Sequence, residues 1–278
     1  MLVVIGDLVA DLIVLGGARL ERGTDNPAEV RLTRGGSAAN VAVAAAARHP
    51  VRFIGRVGDD TLARALVGEL EAAGVDVRVQ REGRTGSIVV LVDAVGERTM
   101  ITDRGAAAEL DAIEPDWLHG ADWVHLPLYG FTTPLSRTAV TDAATRAAAR
   151  GARLSVDLSS VAALRELGAD SLRSLLADLR PDVVFANEDE SRTAAELGVV
   201  PGGVYVVKRG AMPVLVAAEG GVVEVPVEPV EDVLDSTGAG DAFAAGYIAA
   251  ALAGADARES ARAGNELATR ALRRPGAL

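Results

Sequence analysis

A chain of 278 residues, 49% of them hydrophobic, holds enough material for one large α/β domain and gives no compositional case for disorder. Its net charge of −11 speaks against broad binding to nucleic acid or to an anionic membrane, although backbone N–H groups can still bind phosphate locally. The lack of cysteine excludes disulfides and thiolate metal sites, and no apolar run reaches the roughly 18 to 20 residues of a membrane span, so a protein of the reducing cytoplasm is expected.

The first segment, LVVI at 2–5, reads as a strand and not as a signal peptide, because no basic segment precedes it. From about 11 to 34 the pattern is β-like without a helix. A helix follows over 38–48, a strand over 51–57 and a helix over 61–73. The stretch SIVVLVDAVGERTMIT reads as a hairpin, with strands over 87–93 and 98–102 and a turn at 94–97. Strands are then expected over 122–126, 153–158, 182–186 and 204–208, and helices over 135–150, 188–197 and 239–252. Such alternation predicts βαβ units, a mostly parallel sheet and helices on both of its faces. The two segments that break the rhythm, about 11–34 and 85–104, are expected to pair into a small separate sheet acting as a lid on a single domain that spans 1–278. No internal repeat or low-complexity tract is visible.

The chemistry concentrates in D-S-T-G-A-G-D-A-F-A-A-G, residues 235–246. A plain reading makes Gly238 and Gly240 a loop and Asp241 a carboxylate favouring the positive end of the following helix. A sharper reading is an anion hole. Glycines let the backbone approach a ligand closely, helix N-terminal N–H groups point at it, and Asp241 accepts the proton of an attacking hydroxyl. Gly240 is expected to sit in a turn that needs positive φ. Neither a Walker A loop nor a GxGxxG fingerprint occurs, which disfavours P-loop and dinucleotide-binding functions. The three histidines show no ligand spacing, so zinc is not expected.

This stretch resembles the C-terminal signature of the ribokinase-like (PfkB) carbohydrate kinases. R-G-G-S-A-A-N-V-A-V-A-A-A at 34–46, followed by F-I-G-R-V-G-D-D at 53–60, resembles the family's N-terminal signature, and N-E-D-E at 187–190 resembles its N-x-x-E motif. The resemblance implies a three-layer α/β/α fold with a β-sheet lid, and an ATP-dependent kinase using Mg²⁺. It makes Asp241 the catalytic base and Gly238, Ala239 and Gly240 the anion hole. It places Asp235 and Thr237 where many members hold a monovalent cation, K⁺ in particular. Glu190 would orient Mg²⁺ through water and Asn187 would contact phosphate, although the same two residues also make a capping box. Asp11, Gly35, Gly36, Ser37 and Asn40 match substrate-contacting positions, and Ser37 stands where the ribose-specific branch often has lysine. Lys208, Gly210 and Asn265 fall on the nucleotide side. Arg104 places a cation toward the cleft, and Tyr129 and Phe131 are candidates to line it; Trp123 is expected in the core.

The resulting expectation is phosphorylation of a primary hydroxyl on a small carbohydrate. Alternatives are a nucleoside kinase of the adenosine type, disfavoured by lid segments without an aromatic residue, and a sugar-acid kinase of the 2-keto-3-deoxygluconate type, with Arg98 or Arg104 pairing the acid. A non-catalytic sensor on the same fold would be marked by loss of the aspartate or the glycines, and both are intact. A homodimer through the lid is expected from its exposed edges and apolar face.

Overall fold

The structure, a computed structural model, describes residues 1–16, 20–93, 98–231 and 233–273. In chain order its elements are β1 (Leu2–Ile5), β2 (Val9–Leu15), β3 (Glu29–Gly35), α1 (Ser37–Ala46), β4 (Val51–Val57), α2 (Thr61–Ala72), β5 (Asp76–Arg81), β6 (Thr85–Val92) and β7 (Arg98–Gly105). Then come β8 (Trp123–Pro127), α3 (Pro134–Ala148), β9 (Arg153–Asp157), α4 (Val161–Leu167), α5 (Ala169–Leu179), β10 (Val183–Asn187), α6 (Glu188–Glu196) and β11 (Val204–Arg209). The chain finishes with β12 (Met212–Ala218), β13 (Gly221–Val225), α7 (Ala239–Leu252) and α8 (Ala257–Leu272). The turn expected at 94–97 lies outside the described residues.

Nine strands form one sheet in the order β13-β12-β11-β10-β9-β8-β1-β4-β5. It is parallel from β11 through β5, and β12 and β13 extend it antiparallel. The strand β1 shows why LVVI is apolar throughout. Side chains alternate in a strand, so Leu2 and Val4 enter the core on one face while Val3 and Ile5 enter the core on the other. Helices α1, α2, α7 and α8 cover the first face and α3, α4, α5 and α6 the second, which gives three layers.

Helix starts follow local chemistry. Asp60 caps α2 by accepting from the Ala63 amide at 2.8 Å, and Thr133 with Pro134 opens α3. Asn187–Glu190 and Asp256–Glu259 are reciprocal capping boxes at α6 and α8. Helix α7 is apolar around most of its circumference because it is packed between the sheet and α8. The contact with α8 is close: a Cβ on Gly246 would lie 2.6 Å from the Ala263 carbonyl oxygen, so the two backbones meet there without side chains.

The two interruptions of the βα rhythm form a second sheet, ordered β3-β2-β6-β7. The pairs β2–β3 and β6–β7 are antiparallel and β2–β6 is parallel. This is the lid, standing over the C-terminal ends of the main strands. Two expectations are corrected. Phe131 does not line the cleft; it is fully buried beneath α3 in the core. At the glycine loop the residue with positive φ is Gly238, at 71°, and not Gly240, which belongs to the first turn of α7.

Candidate active site

A cavity of about 640 Å³ opens between the lid and the C-terminal ends of the parallel strands, where ligands collect in open α/β sheets. Gly238, in the left-handed region, turns the chain into α7. The first amides of a helix lack intrahelical acceptors and carry its positive dipole end, so this turn presents to the cavity an arrangement suited to binding an anion.

Asp241 stands in the first turn of α7 and is fixed by α1. Ser37 Oγ donates to Asp241 Oδ1 at 2.6 Å, and Asn40 Nδ2 donates to Oδ2 at 3.0 Å. Gly36 permits this start of α1: its φ is 100°, and a Cβ there would lie 2.5 Å from the Asp7 carbonyl oxygen. Burial pushes the Asp241 carboxyl up to about 7; the bonds from Ser37 and Asn40 oppose the rise, Asp157 adds to it and Lys208 opposes it. A carboxylate near neutrality, beside such a turn, is suited to accept a proton from an alcohol.

Behind the turn lies a buried charge group. Lys208, the only lysine in the chain, donates to Asp157 Oδ2 at 2.8 Å, and a Cβ on Gly240 would be 3.3 Å from its ammonium. The ammonium therefore sits directly against the glycine turn. Asn187 and Glu190 fulfil the capping reading: Asn187 Nδ2 and backbone N–H donate to the two Glu190 oxygens at 2.8 and 2.7 Å. Glu190 is 3% exposed, and burial pushes its carboxyl up to about 7. Asp157 and Glu190 are hard oxygen donors of the kind that suits Mg²⁺ held mainly by phosphates and water. Among the described residues no three His, Cys, Asp or Glu side chains form a metal cluster of their own.

On the lid side, Asp11 overhangs Gly35, where a Cβ would come within 2.1 Å of its Oδ1. That Oδ1 is buried without a hydrogen-bond partner, and burial together with Asp7 raises the carboxyl to about 6. Arg104 does face the cavity, but it is engaged: it pairs with Asp7 at 2.8 Å and lies 3.7 Å over the Tyr129 ring. Asp235 accepts from the Thr237 amide and hydroxyl at 2.8 and 2.7 Å and is ion-paired with Arg98 of the lid. Gly210 and Asn265 also line the cavity, as do the apolar side chains of Val214, Val227 and Leu272. Asn265 Nδ2 also donates to the Pro226 carbonyl at 3.1 Å.

Apart from Phe131, the site residues expected from sequence line one cavity or, for Gly35 and Asp235, contact residues that do. Three contributors were missed: Asp7, which accepts from the Ala38 amide and pairs with Arg104; Asp157, at the carboxyl end of β9; and Ser159, a non-glycine residue at φ 61° in the turn that follows it. The position of Asp157 at a strand end was the signal that could have found it.

Known proteins place this architecture. The chain is 34% identical over 274 residues to an ATP-dependent ribose-1-phosphate kinase of Halopiger xanaduensis, covering 91% of this chain and 86% of that one. It is 33% identical over 267 residues to a fructokinase of Klebsiella pneumoniae, covering 88% and 82%. The crystal structure of adenosine kinase from Sinorhizobium meliloti superposes with a TM-score of 0.86 at 24% identity, over 99% of this chain and 94% of that one. The profile of the pfkB family carbohydrate kinases matches residues 1–278, and the chain belongs to that family of phosphotransferases.

Proposed function

We propose that this kinase transfers the γ-phosphoryl group of ATP to a primary hydroxyl of a furanose or keto-sugar. The observation that carries the substrate class is the buried, unpartnered Oδ1 of Asp11 on the cavity wall, an acceptor suited to a sugar hydroxyl. Leaving such a group unpaired costs about 1–3 kcal/mol, so a ligand that supplies a donor there is favoured over one that does not. Asp241 takes the proton of the attacking hydroxyl, which competes with Ser37 for the carboxylate. The amides of Gly238, Ala239 and Gly240, backed by the Lys208 ammonium, stabilise charge on the transferring group. Glu190 and Asp157 would orient Mg²⁺ through water, and that ion offsets charge on the phosphates when bound. The lid excludes water.

Anionic sugars fit less well, because Arg98 and Arg104, the cations a sugar acid would need, are each paired with an aspartate. Adenosine lacks a stacking platform on the lid, whose cavity face carries Ile88, Val90, Met100 and Thr102. A coupled ADP-release assay over sugars, sugar acids and nucleosides tests the reading. A furanose or keto-sugar should exceed adenosine in kcat/KM by at least tenfold, which needs only about 1.4 kcal/mol. Adenosine as the best substrate would overturn the sugar assignment.

The proposal includes a homodimer. Cross-strand partners share a face of a sheet, so the registers Leu12↔Leu32, Leu12↔Val89 and Val89↔Ile101 build one apolar row on the side away from the cavity. Leu32 and Ile101 in that row are about 60% exposed. Such a surface on a small sheet invites a second copy. Light scattering should give twice the chain mass at micromolar concentration; a monomer would remove this part of the proposal.

A further inference from the structure

The lid does more than cover the cavity: its far end is ion-paired to the glycine loop. Arg98 is the first residue of β7, opposite Val92 of β6, at the tip of the lid hairpin. Its guanidinium pairs with Asp235 Oδ1, and both side chains are largely withdrawn from solvent, at 23% and 14% exposure. The same oxygen accepts the amide and hydroxyl of Thr237, one residue before Gly238. Asp235 therefore shapes the turn suited to binding an anion, as an aspartate does in a side-chain-closed turn. From the other side the loop is tied to α8, where the Leu234 amide donates to the Leu272 carbonyl at 2.8 Å.

This arrangement disagrees with the monovalent-cation site that Asp235 and Thr237 imply by resemblance. Asp235 Oδ1 already accepts three donors, the Thr237 amide and hydroxyl and the Arg98 guanidinium, so this oxygen is not free to ligate a cation. Asp235 is ion-paired with the Arg98 guanidinium, and a metal cation beside that guanidinium would face a like charge in a partly desolvated site.

We propose that the Arg98 guanidinium takes the place of a monovalent cation at Asp235, so that lid closure itself orders the anion-binding turn and phosphoryl transfer is independent of K⁺. Arg98 is a positioning residue: it acts on the transferring group through Asp235 and the turn. Its coupling differs from that of a bound ion because the charge arrives with the lid. The inference rests on the kinase fold and not on which sugar is phosphorylated.

The test compares the wild-type protein with Arg98→Ala, Arg98→Lys and Asp235→Asn in K⁺ and in tetramethylammonium at equal ionic strength. Two readouts are used: turnover on the best substrate, and the thermal midpoint of the protein without substrate. Wild-type kcat should agree between the two salts within about twofold, and its midpoint should not move. Arg98→Ala should lose about tenfold in kcat in tetramethylammonium and regain at least about fivefold in K⁺, in the range of ordinary coupling between sites. Its substrate-free midpoint should rise by about 2 °C or more in K⁺, as expected of a ligand that binds only the folded state. Arg98→Lys should stay indifferent to K⁺, and Asp235→Asn should be impaired with no rescue. A wild-type enzyme activated severalfold by K⁺, or an Arg98→Ala variant that ignores K⁺ in both readouts, overturns the proposal. The midpoint involves no sugar, so it stands even if the substrate assignment fails. If Arg98→Ala does not fold, the wild-type comparison still decides.

Discussion

Ser37 Oγ donates to Asp241 Oδ1 at 2.6 Å across 204 residues of sequence, joining the two signature segments of the chain in one hydrogen bond. The bond lets α1 tune the carboxyl carried by α7. It favours the charged form and so opposes the rise that burial imposes on the Asp241 carboxyl.

The first prediction concerns pH and rate. A protonated Asp241 cannot accept the substrate proton, so kcat should rise with pH through about 7 and level above it. Removing the Ser37 donor by Ser37→Ala takes away a contribution that lowers the carboxyl, so the rising limb should move to higher pH. Asp241→Asn should reduce kcat by about 10² to 10⁴-fold, abolish the limb and leave the KM for ATP nearly unchanged. A pH profile of the three proteins checks all of this, and near-normal turnover in Asp241→Asn would remove the proposed base.

The same carboxylate should cost stability. Its folded-state value, about 7, lies above the unfolded value of 3.8, so the native state binds more protons between these limits and stability falls as pH rises through that window. Above pH 7 the buried charge is retained at full cost; below about pH 4 the group is neutral in both states. Asp241→Asn should therefore raise the thermal midpoint by several degrees at pH 8, and the gain should vanish near pH 4. Glu190, also raised to about 7, is held up in part by the Asp241 charge, so Asp241→Asn eases its ionisation too and adds to the gain at pH 8. Equal midpoints at pH 8 would show that the site relaxes enough to solvate the charge.

Much of this was legible in the residues because local signals and tertiary demands agreed. Apolar runs such as LVVI are what a parallel strand buried on both faces requires, and the glycines at 35, 36, 238 and 240 sit where the backbone meets a carboxylate, a carbonyl, a left-handed turn and an ammonium. Helices over 161–167 and 169–179 were harder to see, because Gly168 separates them and serves both as the end of one and the start of the next. Strand Asp76–Arg81 carries three charged residues on a sheet edge and gives a weak apolar signal. The pairings Lys208–Asp157, Arg104–Asp7 and Arg98–Asp235 were invisible for a different reason. Each joins residues 51 to 137 positions apart, and ion pairing leaves no periodicity in a sequence.

The last prediction uses a residue without a side chain to test one that has a side chain. Gly35 has an ordinary negative φ or extended backbone, being absent from the left-handed glycines, so alanine there is not strained by its dihedrals. The added Cβ would nonetheless fall 2.1 Å from Asp11 Oδ1 and 2.3 Å from its Cγ, closer than packed atoms ever stand. Asp11 must then rotate away, so under the proposed function its acceptor is lost to the sugar while Lys208 and Asn265, on the proposed nucleotide side, are untouched. Gly35→Ala should raise the sugar KM by about tenfold or more, the equivalent of one poorly satisfied buried acceptor, and should leave the KM for ATP within error. Asp11→Ala should do the same. Because both act through one carboxylate, the double variant should resemble Asp11→Ala alone instead of multiplying the two losses, since removing the Asp11 side chain leaves room for the new methyl group. Multiplicative losses in that cycle would show that Gly35 serves the sugar by a route that does not pass through Asp11, such as direct approach of the ligand to its backbone.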